Sequence, residues 1–227
     1  IFLPSNAALQ EYYVSKGVKS YHELDSMILK KLVLNHIIEK HIESNMIGLG
    51  AIEELNGIGD FIVSEFDRSD IILNKNSKII KRDILTANGV VHLINKVLDP
   101  VEKSVFELLK ANKSYSIFTE GLIRTHLADT LNTIYIPYGN KTARTRFTIL
   151  AITDSTFYRF GIFSIEDLIA RNTSDFVNIS DISNGFYRYM EYHCLAETYF
   201  LNQLSTKLYP ILSYDNNVLI TVDNDYR

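Results

Sequence analysis

The sequence has one cysteine, no long apolar run and no excess of positive charge. Cys194 is the only cysteine among 227 residues, so no internal disulfide can form and cysteine usage leaves the compartment open. No apolar run approaches the ~20 residues that a membrane-spanning helix needs. Divided at Pro100, each half carries two more acidic than basic residues, for a formal net charge of -4. These absences exclude a disulfide framework, a membrane-spanning helix and the basic face of a nucleic-acid-binding protein.

The chain does contain enough apolar sequence for a packed core. Hydrophobic residues make up 46% and charged residues 22% of the sequence, which predicts a folded protein of one or two domains. Because the chain begins at Ile1, without a methionine or a signal peptide, we expect it to be part of a longer precursor. Cys194 lies in an apolar run, which favours a small buried side chain over a reactive thiol.

The stretch Asn88–Pro100 has the clearest strand signal in the chain. An Asn-Gly turn signal opens it, a β-branched run containing His92 fills it, and Asp-Pro closes it. Apolar residues occupy both pleat faces, which predicts a strand covered on both sides, inside a sandwich. They are Val90 and Ile94 on one face, and Val91, Leu93 and Val97 on the other.

Two blocks near the start of the chain recur in its second half. Ile1–Leu9 matches Ile149–Phe157 as a hydrophobic strand, a hydroxyl-Asx pair and a helix start. Gly17–Leu24 matches Gly161–Leu168, and the spacing between blocks differs by four residues, which we assign to a loop. This self-similarity predicts two copies of one fold that meet beside Pro100.

Capping signals predict where several helices begin. Ser20 with Glu23 is a capping box, and Ser164 with Asp167 is a shorter version of it. The first of these boxes precedes a helical pattern over Leu24–Ile38.

The pair Asp99-Pro100 predicts a further helix start, with Asp99 as the N-cap and Glu102 in the first turn. Its predicted buried stripe is Val101, Val105, Leu108 and Leu109. Near the end of the chain, Asp215–Asn217 predicts a hairpin turn between strands Leu208–Tyr214 and Val218–Val222.

The opening block and the Asn-Gly-Val-Val-His strand together resemble the fasciclin-like domain. In that family the strand continues with an aliphatic residue, an acid and Val-Leu-x-Pro, and Asn95 stands here where Asp is usual. The motif positions are Asn88, Gly89, His92, Asn95 and Pro100, and all of them except Asn95 match the family. The substitution at Asn95 removes a charge and keeps the hydrogen-bonding shape of the side chain.

The resemblance implies an α+β protein of two tandem fasciclin-like domains, each a wedge-shaped antiparallel β-sandwich flanked by small helices. Residues 1–100 form the first domain, which lacks its N-terminal helices, and residues 101–227 form the second, which lacks its closing strand. We therefore expect further residues before Ile1 and after Arg227.

The resemblance also implies a binding pair at the end of one helix in each copy. Tyr192-His193 matches a Tyr-His pair implicated in adhesion to cell-surface partners. In the first copy Asn35 replaces the tyrosine and His36 is retained, so the second domain is expected to bind better. The alternative is that the pair pins its helix onto the sheet.

Tyrosine is distributed unevenly: 3 of the 14 tyrosines precede residue 101. Tyrosine supplies rigid contact area with a polar tip, so a tyrosine-rich second half suggests a ligand face, including a carbohydrate-binding one. Packing of the core and its rim is the alternative explanation. The tyrosines concerned are Tyr187, Tyr189, Tyr192, Tyr199, Tyr209 and Tyr214.

No pattern in the sequence indicates catalysis or metal binding. The six histidines show no zinc spacing, and no nucleophile lies in a recognisable catalytic motif. His92, within an apolar strand, is predicted to be a core histidine bonded to backbone or hydroxyl groups. Four Asn-x-Ser/Thr sites matter only in a eukaryotic secretory cell. They are Asn112, Asn140, Asn172 and Asn178.

The function implied by the resemblance is extracellular adhesion or assembly through surface contacts, with no cofactor. The expected partner is a cell-surface or matrix protein, or a glycan, and any membrane attachment is expected through an anchor outside this segment. Asparagine- and lysine-rich turns and the lack of disulfides favour a bacterial cell surface. The alternative is a carbohydrate-binding surface module that uses the tyrosine-rich second domain.

Overall fold

The structure is a computed structural model that describes residues 1–139, 141–213 and 216–222. The chain divides into two compact units, Ile1–Val101 and Glu102–Arg227, called unit 1 and unit 2 below. Both units combine helices with strands, so the protein has a mixed α+β fold. No described helix has the length and apolar character that crossing a membrane requires.

Unit 1 contains two α-helices and six strands. The helices are α1 (Asn6–Lys16) and α2 (Ser26–Asn35). The strands are β1 (Phe2–Pro4), β2 (Gly50–Ala51), β3 (Val63–Asp67), β4 (Asp70–Leu73), β5 (Ser77–Thr86) and β6 (Gly89–Ile94).

The strands of unit 1 form one sheet, in the order β1-β6-β5-β4-β3-β2. Strand β6 lies in its interior, parallel to β1 and antiparallel to β5, which confirms the interior position predicted for this segment. The predicted coverage of both faces is met in part: Val90, His92 and Ile94 are buried, whereas on the other face Val97 is buried and Val91 and Leu93 are half-buried. Alternation of this kind is typical of a sheet with one face on the core.

A single bent sheet replaces the antiparallel sandwich expected from the sequence. Strand β5 pairs with β4 near its start and with β6 beyond it, and two register shifts interrupt its pairing with β6. At the second shift Asp83 has a φ of 54°, and its carboxylate accepts the Ser44 backbone N–H at 2.7 Å. Bulges bend a strand and increase its twist, so the sheet curls around one core.

The core of unit 1 is rich in isoleucine. Its largest cluster packs the buried face of the sheet against the segment that follows α2. The members are Phe2, Ile38, Ile42, Ile47, Ile52, Ile62, Ile71, Leu73, Ile79, Ile94 and Leu98. Leu98 places the segment after β6 in the same core.

The capping box predicted from Ser20 and Glu23 does not form. The Ser20 side chain makes no capping bond, and Glu23 accepts the backbone N–H of Lys19 instead. Helix α2 begins at Ser26, because the Asp25 carboxylate accepts the N–H groups of the second and third helical residues. An ionised side chain at the N-cap also interacts favourably with the helix dipole, so Asp25 is the stronger cap.

Unit 2 contains six α-helices and six strands among its described residues. The helices are α3 (Val105–Lys110), α4 (Ser116–Arg124), α5 (Leu127–Asn132), α6 (Asp154–Arg159), α7 (Ile165–Asn172) and α8 (Gly185–Glu191). The strands are β7 (Tyr135–Tyr138), β8 (Lys141–Arg144), β9 (Thr148–Ile149), β10 (Cys194–Leu195), β11 (Lys207–Pro210) and β12 (Asn217–Ile220).

The helix predicted to start at Asp99-Pro100 begins later, at Val105. Ser104 caps the helix, and Glu107 completes a capping box. The backbone N–H groups of Ser104 and Glu107 are both hydrogen-bonded in it. Val101 lies before the helix and is 54% exposed, so the predicted buried stripe is wrong at this position and at the exposed Leu108. The box predicted from Ser164 and Asp167 at the start of α7 is confirmed.

Helices α3 to α8 build the main core of unit 2 around Phe118, Leu122, Phe186 and Met190. A second cluster lies under the hairpin of β11 and β12. That hairpin was predicted from the sequence with longer strands. Tyr214 and Asp215 of the predicted hairpin, and Asn140, lie outside the described residues.

Matched positions of the two units make the same hydrogen bonds at the start of the repeat. The Ser5 hydroxyl accepts the N–H of Ala8, and the Thr153 hydroxyl accepts the N–H of Thr156. In both units these side chains cap the helix that follows, α1 or α6.

The same helices also end alike, at glycines with positive φ: 70° at Gly17 and 72° at Gly161. Val18 N–H bonds Tyr13 C=O, and Ile162 N–H bonds Phe157 C=O in the equivalent way. The four-residue difference in spacing was assigned to a loop, and that prediction is wrong. Helix α1 has 11 residues and α6 has 6, so the difference lies within a helix.

Candidate functional site

The candidate site is the point where the chain leaves α2 or α8 and a histidine follows the helix. These two places, at His36 and His193, are called corners below. In unit 1 the His36 Nδ1 lies 2.7 Å from the Leu32 carbonyl oxygen, and Nε2 lies 2.9 Å from the Leu98 backbone nitrogen. The Leu98 N–H is a donor, so Nε2 must be the unprotonated nitrogen and Nδ1 carries the hydrogen. The neutral ring therefore ties the end of α2 to the segment after β6.

Asn35 strengthens the same connection. Its amide nitrogen donates to the Leu98 carbonyl at 2.7 Å, and its amide oxygen accepts from Asn56 Nδ2 at 2.7 Å. Asn35 is 4% and His36 is 5% exposed. Buried polar groups are normally fully bonded, and here both side chains are used internally.

The surroundings of His36 favour its neutral form. Burial lowers its pKa, while the Leu32 carbonyl and the charge of Asp99 oppose that effect. Burial disfavours the charged imidazolium because it removes the ring from water. Protonation would also set an Nε2–H donor against the Leu98 N–H.

The second corner, in unit 2, keeps the histidine geometry. His193 Nδ1 lies 2.8 Å from the Tyr189 carbonyl oxygen, four residues earlier, as His36 does with Leu32. The ring packs edge-on against Phe118 at 5.6 Å between centroids, and burial lowers its pKa.

Backbone bonds around the two histidines also correspond. Phe2 N–H donates to the His36 carbonyl at 2.9 Å, and Leu150 N–H donates to the His193 carbonyl at 2.8 Å. The opening strand of each unit is thereby joined to the end of the histidine helix. These four residues occupy matched positions of the repeat.

The residue before each histidine differs in accessibility. Tyr192 is 46% exposed, whereas Asn35 is buried against Asn56 and Leu98. An external partner can therefore contact Tyr192 in the folded protein and cannot reach the Asn35 side chain. Of the four predicted pair residues, Tyr192 is the only exposed one.

The signature residues of β6 have internal roles. His92 is 1% exposed, its Nε2 bonds the Ile42 carbonyl at 2.9 Å, and its ring stacks on Phe2, which confirms the predicted core histidine. The Asn95 amide oxygen accepts the Lys78 N–H at 2.7 Å, as a carboxylate would at this position. Gly89 pairs with Thr86 across the hairpin, so Ala87 and Asn88 form the turn between the two strands. Pro100 follows in the connecting segment, outside any helix or strand.

The described tyrosines of unit 2 do not form one surface. Tyr187 and Tyr189 pack against the main core, and burial raises the pKa of both phenols. Tyr199 instead meets the buried Tyr209 edge-on, at 4.8 Å between centroids, in the cluster under β11 and β12. Core and rim packing therefore accounts for four of the six tyrosines that suggested a ligand face, Tyr187, Tyr189, Tyr199 and Tyr209.

Cys194 is fully buried, as its apolar context predicted. Burial, with a smaller effect from the charge of Glu191, raises the pKa of its thiol to about 12. A thiol is a weak nucleophile unless deprotonated, so this side chain is inert in the folded protein. In the described ranges, no group of three or more His, Cys, Asp or Glu residues is placed to hold a metal ion.

Two features of unit 2 were missed by the sequence analysis. The first is an open cavity of about 450 Å³ lined by residues that include Leu127, Tyr187, Arg188 and Glu191. The second is a set of exposed aromatic side chains around Gly161. The second had a sequence signal, because Phe160 and Phe163 flank a turn without belonging to a helical apolar stripe.

Comparison with known proteins gives a match for unit 1. The family model of the fasciclin domain matches residues 1–100. Human periostin is 29% identical over 170 residues, which cover 69% of this chain and 17% of periostin, so the chain spans less than a fifth of that relative. A solved FAS1 domain pair from the insect cell adhesion molecule fasciclin I is 16% identical, with a TM-score of 0.39, and the match covers 99% of this chain and 75% of that one.

Proposed function

We propose that this chain is an adhesion or assembly module that acts through protein-surface contacts, without catalysis and without a cofactor. The fasciclin-domain match over residues 1–100 and the similarity to periostin support this role. By resemblance, such domains work outside the cell, so the proposed partner is a cell-surface or matrix protein. The proposed location is the cell surface, that of a bacterial envelope, with any membrane anchor outside this segment.

The proposal includes a tandem arrangement, with residues 1–100 and 101–227 as two fasciclin-like domains. It is supported by the matched helix caps, the glycines at 17 and 161, and the backbone bonds that join each opening strand to a histidine. The caps and the glycine turns are local, but the bonds from Phe2 to His36 and from Leu150 to His193 join residues far apart in the chain, so local propensity does not explain their agreement.

The single observation that supports a contact site best is the exposure of Tyr192 beside an anchored His193. The His193 ring bonds the Tyr189 carbonyl and packs edge-on against Phe118, which fixes the end of α8. An exposed tyrosine on a rigid support loses little conformational entropy on binding, as interface anchors do. Unit 1 offers no such side chain at Asn35.

Adhesion to the immobilised full-length chain tests this role. We expect Tyr192→Ala to reduce attachment of cells or matrix proteins roughly tenfold, which corresponds to the loss of one interface anchor. Tyr21→Ala is the matched control, since Tyr21 is 50% exposed and also precedes a histidine. Attachment that is equal for both variants and the parent chain would exclude Tyr192 as the contact residue.

Carbohydrate binding is the second candidate, and one observation weighs against it. The tyrosines that motivated it lie in separate clusters, so they do not provide a continuous platform for sugar rings. A glycan array probed with the full chain distinguishes the two candidates. Reproducible binding that Tyr192→Ala abolishes would favour the glycan over a protein partner.

A further inference from the structure

A compact group of aromatic side chains lies exposed where α6 turns into α7. Phe160 is 66% and Phe163 is 68% exposed, and Tyr158 is half in solvent. The rings of Tyr158 and Phe163 stack at 5.8 Å between centroids, with 18° between their planes. Contiguous exposed apolar surface of this kind marks interaction sites in soluble proteins.

The fold does not require these aromatic residues. Counting from the paired glycines at 17 and 161, Phe160 corresponds to Lys16 and Phe163 to Lys19 in unit 1. Both lysines are exposed, and the turn between them has the same backbone bonds. The same turn therefore forms with polar side chains, so its stability does not explain the aromatic ones.

Two arginines border the aromatic group. Arg171 donates from Nη1 to the Phe160 carbonyl at 2.8 Å, which holds its guanidinium at the backbone of this turn, and Arg159 is adjacent to Phe160 in sequence. Both side chains are exposed, and within the described part of the chain neither forms an ion pair with a carboxylate. Of the nearby acids, Glu166 pairs with Arg124 and Asp167 caps α7.

We propose that Tyr158, Arg159, Phe160, Phe163 and Arg171 form an aromatic–arginine patch that docks an acidic, apolar segment of a protein partner. Interface anchors are enriched in aromatic residues and arginine, which is the composition of this patch. Guanidinium groups beside exposed rings bind carboxylates next to apolar side chains, since the fork of N–H donors matches a carboxylate. The patch does not include Tyr192, and the proposal goes beyond the adhesive role argued for that residue.

Calorimetric titration of the full chain with three synthetic peptides tests the patch. The peptides share length and apolar residues and carry Glu, Gln or Lys at the remaining positions. We expect micromolar binding of the Glu peptide, roughly tenfold weaker binding of the Gln peptide and none of the Lys peptide. Binding of the Glu peptide should weaken as salt rises, because charge pairs at a surface are screened.

Two double variants locate the binding. R159E/R171E and F160S/F163S are each expected to abolish binding of the Glu peptide, and the second removes the exposed rings without changing the charge of the patch. K103E/K113E is the control for R159E/R171E, because it makes the same change in net charge at exposed positions elsewhere in unit 2. Circular dichroism of each variant establishes that the fold is kept.

Three outcomes overturn the proposal. They are the absence of binding by all three peptides, equal binding of the Glu and Lys peptides, and unchanged binding by both patch variants. Binding of a sulfated oligosaccharide or of anionic vesicles to the patch, in place of the acidic peptide, would also overturn it. Because the adhesion assay changes Tyr192, which is not a residue of the patch, either experiment can fail without the other.

Discussion

At the scale of single residues, His36 shows how one ring joins distant parts of unit 1. Its two nitrogens satisfy backbone groups of α2 and of the segment after β6, 62 positions away. Asn35 forms a parallel bond over 63 positions. Removal of such a residue leaves buried backbone groups without partners, which costs more than a surface hydrogen bond.

His36 is expected to make the stability of unit 1 dependent on pH. Burial lowers its pKa from the usual value of about 6.5, so the unfolded chain binds this proton at a higher pH than the folded chain does. The contribution is therefore complete above about pH 6.5 and is lost as pH falls through the lower, folded value. His193 has a shift of the same sign in unit 2.

Urea unfolding of His36→Gln at several pH values measures this effect. We expect a loss of about 1–3 kcal/mol near neutral pH and a weaker dependence on pH between 7 and 5 than in the parent chain. His22→Gln is the control, because that ring is exposed. A pH dependence in His36→Gln identical to that of the parent would show that this ring does not titrate on unfolding.

Thr119 offers the opposite case, a buried hydroxyl without a partner among the described residues. Replacement by valine keeps the shape and removes the unsatisfied group, so we expect Thr119→Val to raise the free energy of unfolding by about 1 kcal/mol. Thr119→Ser is the matched control, since it keeps the hydroxyl and loses a methyl group, and it should lower stability. The free energy of unfolding is measured by denaturant titration. A change of the same sign in both variants would contradict this account.

At the scale of secondary-structure elements, helix starts depend on competition between caps. Local sequence offered Ser20 and Asp99 as caps, and the helices begin instead after Asp25 and Ser104. The box at Ser164 forms where it was predicted. Sequence patterns therefore locate a helix better than they locate its first residue.

The start of α4 depends on an acid from another element. Asp154, at the start of α6, accepts the N–H groups of Ser116 and Ile117 and the Ser116 hydroxyl at 2.6–3.1 Å. Its matched position in unit 1, Asn6, is exposed. Of these two matched residues, Asp154 therefore joins two helices of unit 2, whereas Asn6 lies at the surface of unit 1.

We expect Asp154→Ala to reduce the free energy of unfolding by about 3 kcal/mol, because it leaves the start of α4 without its charged acceptor. Asn6→Ala, the matched change in unit 1, should lie within about 0.5 kcal/mol of the parent chain. Thermal unfolding of both variants provides the measurement. Equal effects at the two positions would argue against a special role for the acid.

At the scale of the whole molecule, Cys194 reports on the integrity of unit 2. Its thiol is fully buried with a pKa raised to about 12, so we expect no reaction with a disulfide reagent at pH 8 in the native chain and rapid reaction after denaturation. Ser174→Cys adds an exposed thiol as a reference for the unhindered rate. Native labelling of Cys194 at that reference rate would contradict the buried core described here.

The bending of the sheet also belongs to this scale. A sandwich was predicted from the two apolar faces of the β6 segment and from the family resemblance, whereas the strands of unit 1 form one sheet through β5. At the second register shift of β5, Asp83 accepts a hydrogen bond from Ser44, 39 positions away. No local pattern contains that information, so the number of sheets could not be derived from the strands.

Local patterns in the sequence were sufficient to predict the interior strand β6, the core role of His92 and the capping box at Ser164. They also matched Gly17 with Gly161, which both end a helix with positive φ. These features depend on alternation, caps and turns, whose forces act within a few residues. Only the tertiary structure decided that Asn35 is buried, that Tyr192 is exposed and that Arg171 bonds the backbone of Phe160 beside exposed aromatic residues. Accessibility is settled by contacts between residues far apart in the chain, because a side chain is covered only when another segment packs over it.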